Sequence, residues 1–158
     1  MLSTVHTNSA AATVTRMVEM GAKDYLVAST LSGVIAQRLV RKLCDDCKEE
    51  YYPTREEVSQ ITVDEEEIER LMKTPIYRPK GCNKCGFSGY KGRLGIYEIM
   101  AITKGIRKLV AAGAHDIEIE EMAVQNGMKT LNQSCIGHII NGQTTIDEFV
   151  RVLGIVNE

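Results

Sequence analysis

Apolar residues in the last third of the chain recur at helical spacing, and polar breaks divide them into four segments. Thr103 is placed to cap a helix that stops at Gly113. A second helix is predicted over 117–126, with Ile119, Met122 and Ala123 grouped and Gly127 as its stop. In a third, Met128, Leu131, Cys135 and Ile139 form one stripe that ends before Gly142. The last begins at Thr145 and shows Ile146, Phe149, Val150 and Leu153 at i, i+3, i+4 and i+7. Glu148 follows Thr145 at the spacing of a capping box. The pattern predicts a helical bundle at the C-terminal end. Cys135 on an apolar stripe reads as a small buried hydrophobe. His115 and His138 lack acidic or cysteine partners at ligand spacing and read as structural.

The first third gives a mixed pattern. Residues 1–5 resemble the end of a short strand. Asn8 is expected to cap a helix over 9–20, with Ala10, Val14, Met17 and Val18 on one face and Gly21 as its stop. A second helix is expected over 24–31. From Gly33 to Leu43 the side chains alternate, Gln37, Leu39 and Arg41 against Arg38, Val40 and Lys42, which favours a strand. Arg38 and Arg41 are candidate phosphate or subunit contacts, with ion pairs on a half-buried strand as the simpler reading.

That strand leads into the chemistry. Cys44-Asp45-Asp46-Cys47 is one Cys-x-x-Cys pair, and Cys82-Asn83-Lys84-Cys85 is a second. Two such turns can present four thiolates to one tetrahedral ion, the pattern of a closed zinc site. Four protein ligands leave no position open for substrate, so such a metal is structural. A single redox Cys-x-x-Cys and a secreted disulfide framework are the rival readings. Lys48, Lys84 and Lys91 are expected near the site, where their charge would offset that of the thiolates.

Between the pairs the chain reads as a helical insert. Thr54 and Glu57 fit a capping box, and Asp64 and Glu67 repeat the spacing before Ile68, Leu71 and Met72. The acidic run 64–67 reads as a solvated first turn favoured by the helix dipole. Pro75 and Pro79 end that helix, and a strand is expected over 94–99. Glu98 is expected to pair with Arg93 or a lysine of the metal site. The glycines at 86, 89, 92 and 95 are expected to shape a tight backbone around the ion.

Composition narrows the classes. The chain has 158 residues, 19 basic and 21 acidic, with a formal net charge of −2. That balance, with two Phe and no Trp, argues against nucleic acid as a partner. No apolar run approaches the roughly 18 residues of a membrane span. Five cysteines, four of them paired as ligands would be, fit a reducing cytoplasm.

Taken in order, Ser3-Thr4-Val5-His6-Thr7-Asn8, the strand 33–43, Cys44-x-x-Cys47, Cys82-x-x-Cys85 and Gly89-Tyr90-x-Gly92-Arg93-x-Gly95-Ile96-Tyr97-Glu98 resemble the carboxy-terminal region of the type II secretion and type IV pilus assembly ATPases. The resemblance covers essentially the whole chain. It implies an α+β, mainly helical protein. Residues 1–43 would be the end of a RecA-like ATPase core, 44–100 a four-cysteine zinc subdomain and 101–158 a helical bundle. It places His6 in a His box beside the γ-phosphate of ATP. It implies a homohexamer on the cytoplasmic side of the inner membrane, working on a membrane platform protein in pilus assembly or protein transport.

Phosphoryl transfer needs more than this. No Gly-x-x-x-x-Gly-Lys-[Ser/Thr] loop occurs in the 158 residues, and no apolar strand ends in an acid suited to Mg2+. Both are expected upstream of Met1, as is any sheet neighbour of the first strand. The chain alone is therefore expected to bind ATP poorly and to be inactive. The alternative is a free-standing zinc-dependent interaction module with no motor role.

Overall fold

A computed structural model describes residues 1–156, which form an α+β chain of eight helices and two small sheets. The chain falls into two compact units, 1–37 with 97–131, and 38–96 with 132–158, of which the last two residues lie outside the described part.

The first unit holds α1 (Ala10–Glu19), α2 (Asp24–Thr30), α5 (Lys104–Ala111) and α6 (Asp116–Gln125). Helix α1 packs on α6 and α2, α2 on α5, and α5 on α6. The apolar stripes account for this. Val14, Ile106, Val110 and Ile119 are all buried. Each such aliphatic side chain contributes about 1.5–3 kcal/mol by leaving water. Helices α5 and α6 complete the first unit with the helices of the chain's beginning. No strand forms over 1–5; these residues run on without regular structure.

Helix α1 is capped by Ser9, not Asn8. Ser9 takes the extended conformation and its Oγ accepts the Ala12 N–H at 3.1 Å, so the helix starts one residue later than the pattern suggested. Gly21, at φ +101°, follows it in the left-handed region.

Strand β1 (Gly33–Leu43) forms as expected and pairs with β4 (Tyr90–Ala101), which is longer than the 94–99 predicted. Val34, Ala36 and Val40 alternate inward along β1. Gly95 lies within β4, not in a metal-site turn.

In the second unit the insert is not all helix. Helices α3 (Arg55–Val58) and α4 (Glu65–Met72) lie between β2 (Glu49–Tyr51) and β3 (Ile76–Arg78), which pair antiparallel with Glu49 opposite Arg78. The Thr54 capping box forms, with Glu57 Oε2 accepting the Thr54 N–H at 2.8 Å. At α4 only half of the expected box is made. Asp64 accepts from the Glu66 and Glu67 N–H groups, but the Glu67 carboxylate is taken by the Thr62 hydroxyl and Arg70.

Helices α7 (Leu131–Ile140) and α8 (Ile146–Leu153) follow, and all of their residues but Leu131 belong to this unit. Cys135 is fully buried, and burial foremost pushes its thiol up to about 12, as expected of an inert core cysteine. His138 shares a hydrogen bond with the Gln143 side chain, a structural role.

Two carboxylates depart from their expected partners. Glu98 does not pair with Arg93 or a lysine. It is 2% exposed and accepts the Ala10 N–H at 2.6 Å and the Leu131 N–H at 3.2 Å, one on each oxygen. Thr145 caps α8 by accepting the Glu148 N–H, but the Glu148 side chain does not return to the cap. Its carboxylate accepts the Arg41 N–H and Nε at 2.6 and 2.7 Å, and Arg151 at 2.7 and 2.6 Å. Both acids serve a backbone N–H that a distant part of the chain leaves unpaired, Ala10 for Glu98 and Arg41 for Glu148.

Candidate metal centre

The two Cys-x-x-Cys turns are built alike. In the first, the Cys47 and Lys48 N–H groups both point back to the Cys44 carbonyl, at 3.3 and 3.1 Å. In the second, a 3-10 turn over Asn83–Cys85, the Cys85 and Phe87 N–H groups point back to the Cys82 carbonyl, at 3.2 and 2.9 Å. Each turn folds its second sulfur toward its first. A Cys44 N–H to Gly89 carbonyl bond of 2.9 Å ties one turn to the other.

Two glycines make the second turn possible. A side chain at Gly81 would meet the Phe87 carbonyl oxygen at 2.6 Å, and one at Gly89 would meet Pro79 Cβ at 2.2 Å. Both also sit at positive φ, +94° and +76°. Phe87 itself is held at φ +62° with its ring exposed. Among the described residues it is the one non-glycine in the left-handed region.

The turns bring Cys44, Cys47, Cys82 and Cys85 together. Their sulfur atoms all lie within 4.8 Å of one another, and the set could hold a metal ion. None of the four is in a disulfide, with Cys44 and Cys47 buried and Cys82 and Cys85 partly accessible. Sulfur separations of 3.9 Å for Cys44–Cys82, 3.8 Å for Cys47–Cys85 and 3.7 Å for Cys82–Cys85 are far beyond a disulfide bond.

The protein treats the thiols unequally. Burial pushes Cys47 up to about 12. Burial acts on Cys85 in the same direction. There the Cys82 and Gly89 N–H groups, each 3.2 Å from its sulfur, and the neighbouring thiols outweigh it and bring the group down to about 6. N–H groups aimed at sulfur favour the thiolate, the form that binds metal.

The nearby lysines are partnered. Lys48 donates to Asp45 and to the Gly142 carbonyl, both at 3.0 Å, and Lys84 donates to Asp46. Asp46 raises the Lys84 ammonium, and the charges of Cys82 and Cys44 add to it. Of the three, Lys84 feels the charge of the sulfurs, and it also neutralises Asp46, while Lys48 is taken by Asp45 and the Gly142 carbonyl. Lys91 is exposed.

His6 is a separate feature, in the first unit, exposed on the irregular segment before α1. Arg41 joins Glu148 and lies 4.2 Å over the Tyr90 ring, the ion-pair reading of this strand residue. Reading the sequence did not find Glu98, Glu148, Gly81 or the Arg41–Tyr90 stack as determinants. Only the run of glycines after Cys85 carried a signal for the tight turn.

A model of the type II/IV secretion system protein family matches residues 1–151. The chain belongs to that family. It is 38% identical over 148 residues to the type IV pilus assembly ATPase PilB of Thermus thermophilus, covering 94% of this chain and 16% of that protein. It is 37% identical over 152 residues to the type II secretion system protein E of Dickeya dadantii, covering 96% and 29%. With the PilB of Pseudomonas aeruginosa the identity is 38% over 152 residues, covering 96% and 26%. This secretion-family chain thus spans less than a third of the length of these relatives. Among its described residues no helix is long and apolar enough to cross a membrane.

Proposed function

We propose that the chain is the carboxy-terminal part of an ATPase that powers type IV pilus assembly or type II protein secretion. The observation that carries this reading is the family match over residues 1–151 by a chain that also gathers four cysteines. Residues 1–43 continue the motor core, 44–100 form the metal-bound part, and 101–158 supply the helical tail. The rest of the protein supplies the phosphate loop and the Mg2+-binding acid. The whole works as a homohexamer on the cytoplasmic side of the inner membrane, against a membrane platform protein.

Cys44, Cys47, Cys82 and Cys85 hold one zinc ion. A tetrahedron with zinc–sulfur bonds of about 2.3 Å has sulfurs about 3.8 Å apart. The separations of 3.7, 3.8 and 3.9 Å for three pairs, with every pair within 4.8 Å, suit it. Bound there, zinc cross-links the two turns and supplies no catalysis, because the cysteines fill all four positions.

His6 acts beside the nucleotide. Its imidazole donates a hydrogen bond to the γ-phosphate as charge builds on the transferring group. In the full-length protein His6→Ala should lower ATP turnover about a hundredfold and leave zinc content and ring assembly intact. Normal turnover in that variant would remove the role from His6. Elemental analysis of protein purified without chelator should find one zinc per chain. No metal, with all four thiols freely reactive, would defeat the zinc site.

A further inference from the structure

Glu98 is a buried acid in a place that needs explaining. Ala10 and Leu131 are the first residues of α1 and α7, and their N–H groups have no partner within their own helices. One Glu98 oxygen accepts each, at 2.6 and 3.2 Å. A carboxylate at two helix N-termini is favoured by both dipoles as well as by the hydrogen bonds.

The helix start that Glu98 holds is the one that follows His6. Thr7 Oγ1 lies 2.6 Å from Thr13 Oγ1 and 3.2 Å from the Ser9 carbonyl. Thr13 Oγ1 also lies 3.0 Å from that carbonyl, so one of the two hydroxyls donates to the other and the second to the carbonyl, and Ser9 Oγ takes the Ala12 N–H. The turn 7–9 is thus bound to the first turn of α1, and Glu98 fixes that turn to strand β4. His6 is exposed and stands one residue before the bound segment.

We infer that Glu98 is a positioning residue for His6: its buried carboxylate, clamping the Ala10 and Leu131 N–H groups, sets the backbone from which His6 reaches the nucleotide. The inference rests on the placement of His6 beside ATP proposed above. Glutamine at 98 keeps one acceptor and turns an NH2 group toward the other N–H, so it breaks half of the clamp with little change of volume.

Two measurements decide the matter. In the 158-residue chain, amide exchange of Glu98→Gln should show lost protection at Ala10 or Leu131; unchanged protection at both overturns the clamp. In the full-length ATPase, Glu98→Gln should lower kcat about ten- to a hundredfold with the KM for ATP changed less than about twofold, since the turn aims a group at the transferring phosphate. The double variant with His6→Ala should be no slower than His6→Ala alone. A double variant slowed by the product of the two single effects shows that Glu98 acts apart from His6 and overturns the inference. Normal turnover of Glu98→Gln beside a slow His6→Ala overturns the positioning role alone, whereas normal turnover of His6→Ala removes the placement of His6 itself. If Glu98→Gln does not fold, Thr13→Val loosens the same turn from the helix side. It should show the same kcat loss, again without effect in the His6→Ala background; full activity there overturns the anchor.

Discussion

Glu148 shows how much one buried side chain can decide. It is fully buried, and burial by itself would raise its carboxyl. Arg151, the Arg41 N–H and the Arg41 guanidinium outweigh that and bring it from 4.5 down to about 2. A carboxylate held below its unfolded value stabilises the fold above that value. The contribution is lost as the pH falls from about 4.5 toward 2. Its upper limit is about 3 kcal/mol, from about 1.4 kcal/mol per pH unit, and solvent around the half-exposed arginines reduces it. Glu148→Gln should therefore lower the melting temperature at pH 7 and flatten the loss of stability between pH 5 and 2. An unchanged acid limb in the variant would assign the acid sensitivity to other groups.

Gly89 is the second decisive residue. Alanine there adds a Cβ that would sit 2.2 Å from Pro79 Cβ, at a φ that disfavours any side chain. The Gly89 N–H also supports the Cys85 sulfur. Gly89→Ala should cost about 2 kcal/mol or more and weaken metal retention. A competition titration with a chromophoric chelator measures the second effect; equal retention by both proteins would show that the turn adapts.

At the scale of elements, the cysteine turns join parts that are short and weak alone. Strands β2 and β3 have three residues each, and α3 has four. Such pieces do not persist in isolation. The tail is tied to the same region: the Leu43 N–H donates to the Gln143 carbonyl, and Gly142 sits against the Tyr77 ring. Structural zinc contributes on the order of 10 kcal/mol in small modules. Chelation, or Cys82→Ser, should thus expose the amides of β2, α3, α4 and β3, with the loss reaching α7 and α8. Helices α1, α2, α5 and α6 keep their own apolar contacts and should retain protection. Exchange that rises equally in all helices would contradict this division. The caps at Thr54, Asp64, Thr103 and Thr145 were legible in the sequence because each acts over two or three residues. Strands β2 and β3 were not, because three residues hold too little pattern to outweigh the helical signal around them.

For the whole molecule, the chain belongs to a secretion family and gathers four cysteines that could hold a metal ion, but its 158 residues contain no phosphate loop. The 158-residue chain should show no ATP hydrolysis above background, and millimolar ATP should barely move its melting temperature. A ligand stabilises only through its binding to the folded state, so weak binding gives a small shift. Turnover by this chain alone would refute the need for the missing loop.

The sequence by itself determined what is local or ordered along the chain. It set the two cysteine pairs, the apolar stripes of α5 to α8, the strand 33–43 and the family, because these depend on spacing that the chain carries without folding. Only the tertiary structure decided where Glu98 and Glu148 bind. The partners of Glu98 lie 88 and 33 positions away, and Glu148 joins the local Arg151 to Arg41, 107 positions away. A buried carboxylate goes to whichever N–H groups the packed elements leave unpaired, and no local pattern records which those are. The sulfur cluster shows both sides at once: spacing named its four members, and the Gly81 and Gly89 turns brought them within reach of one ion.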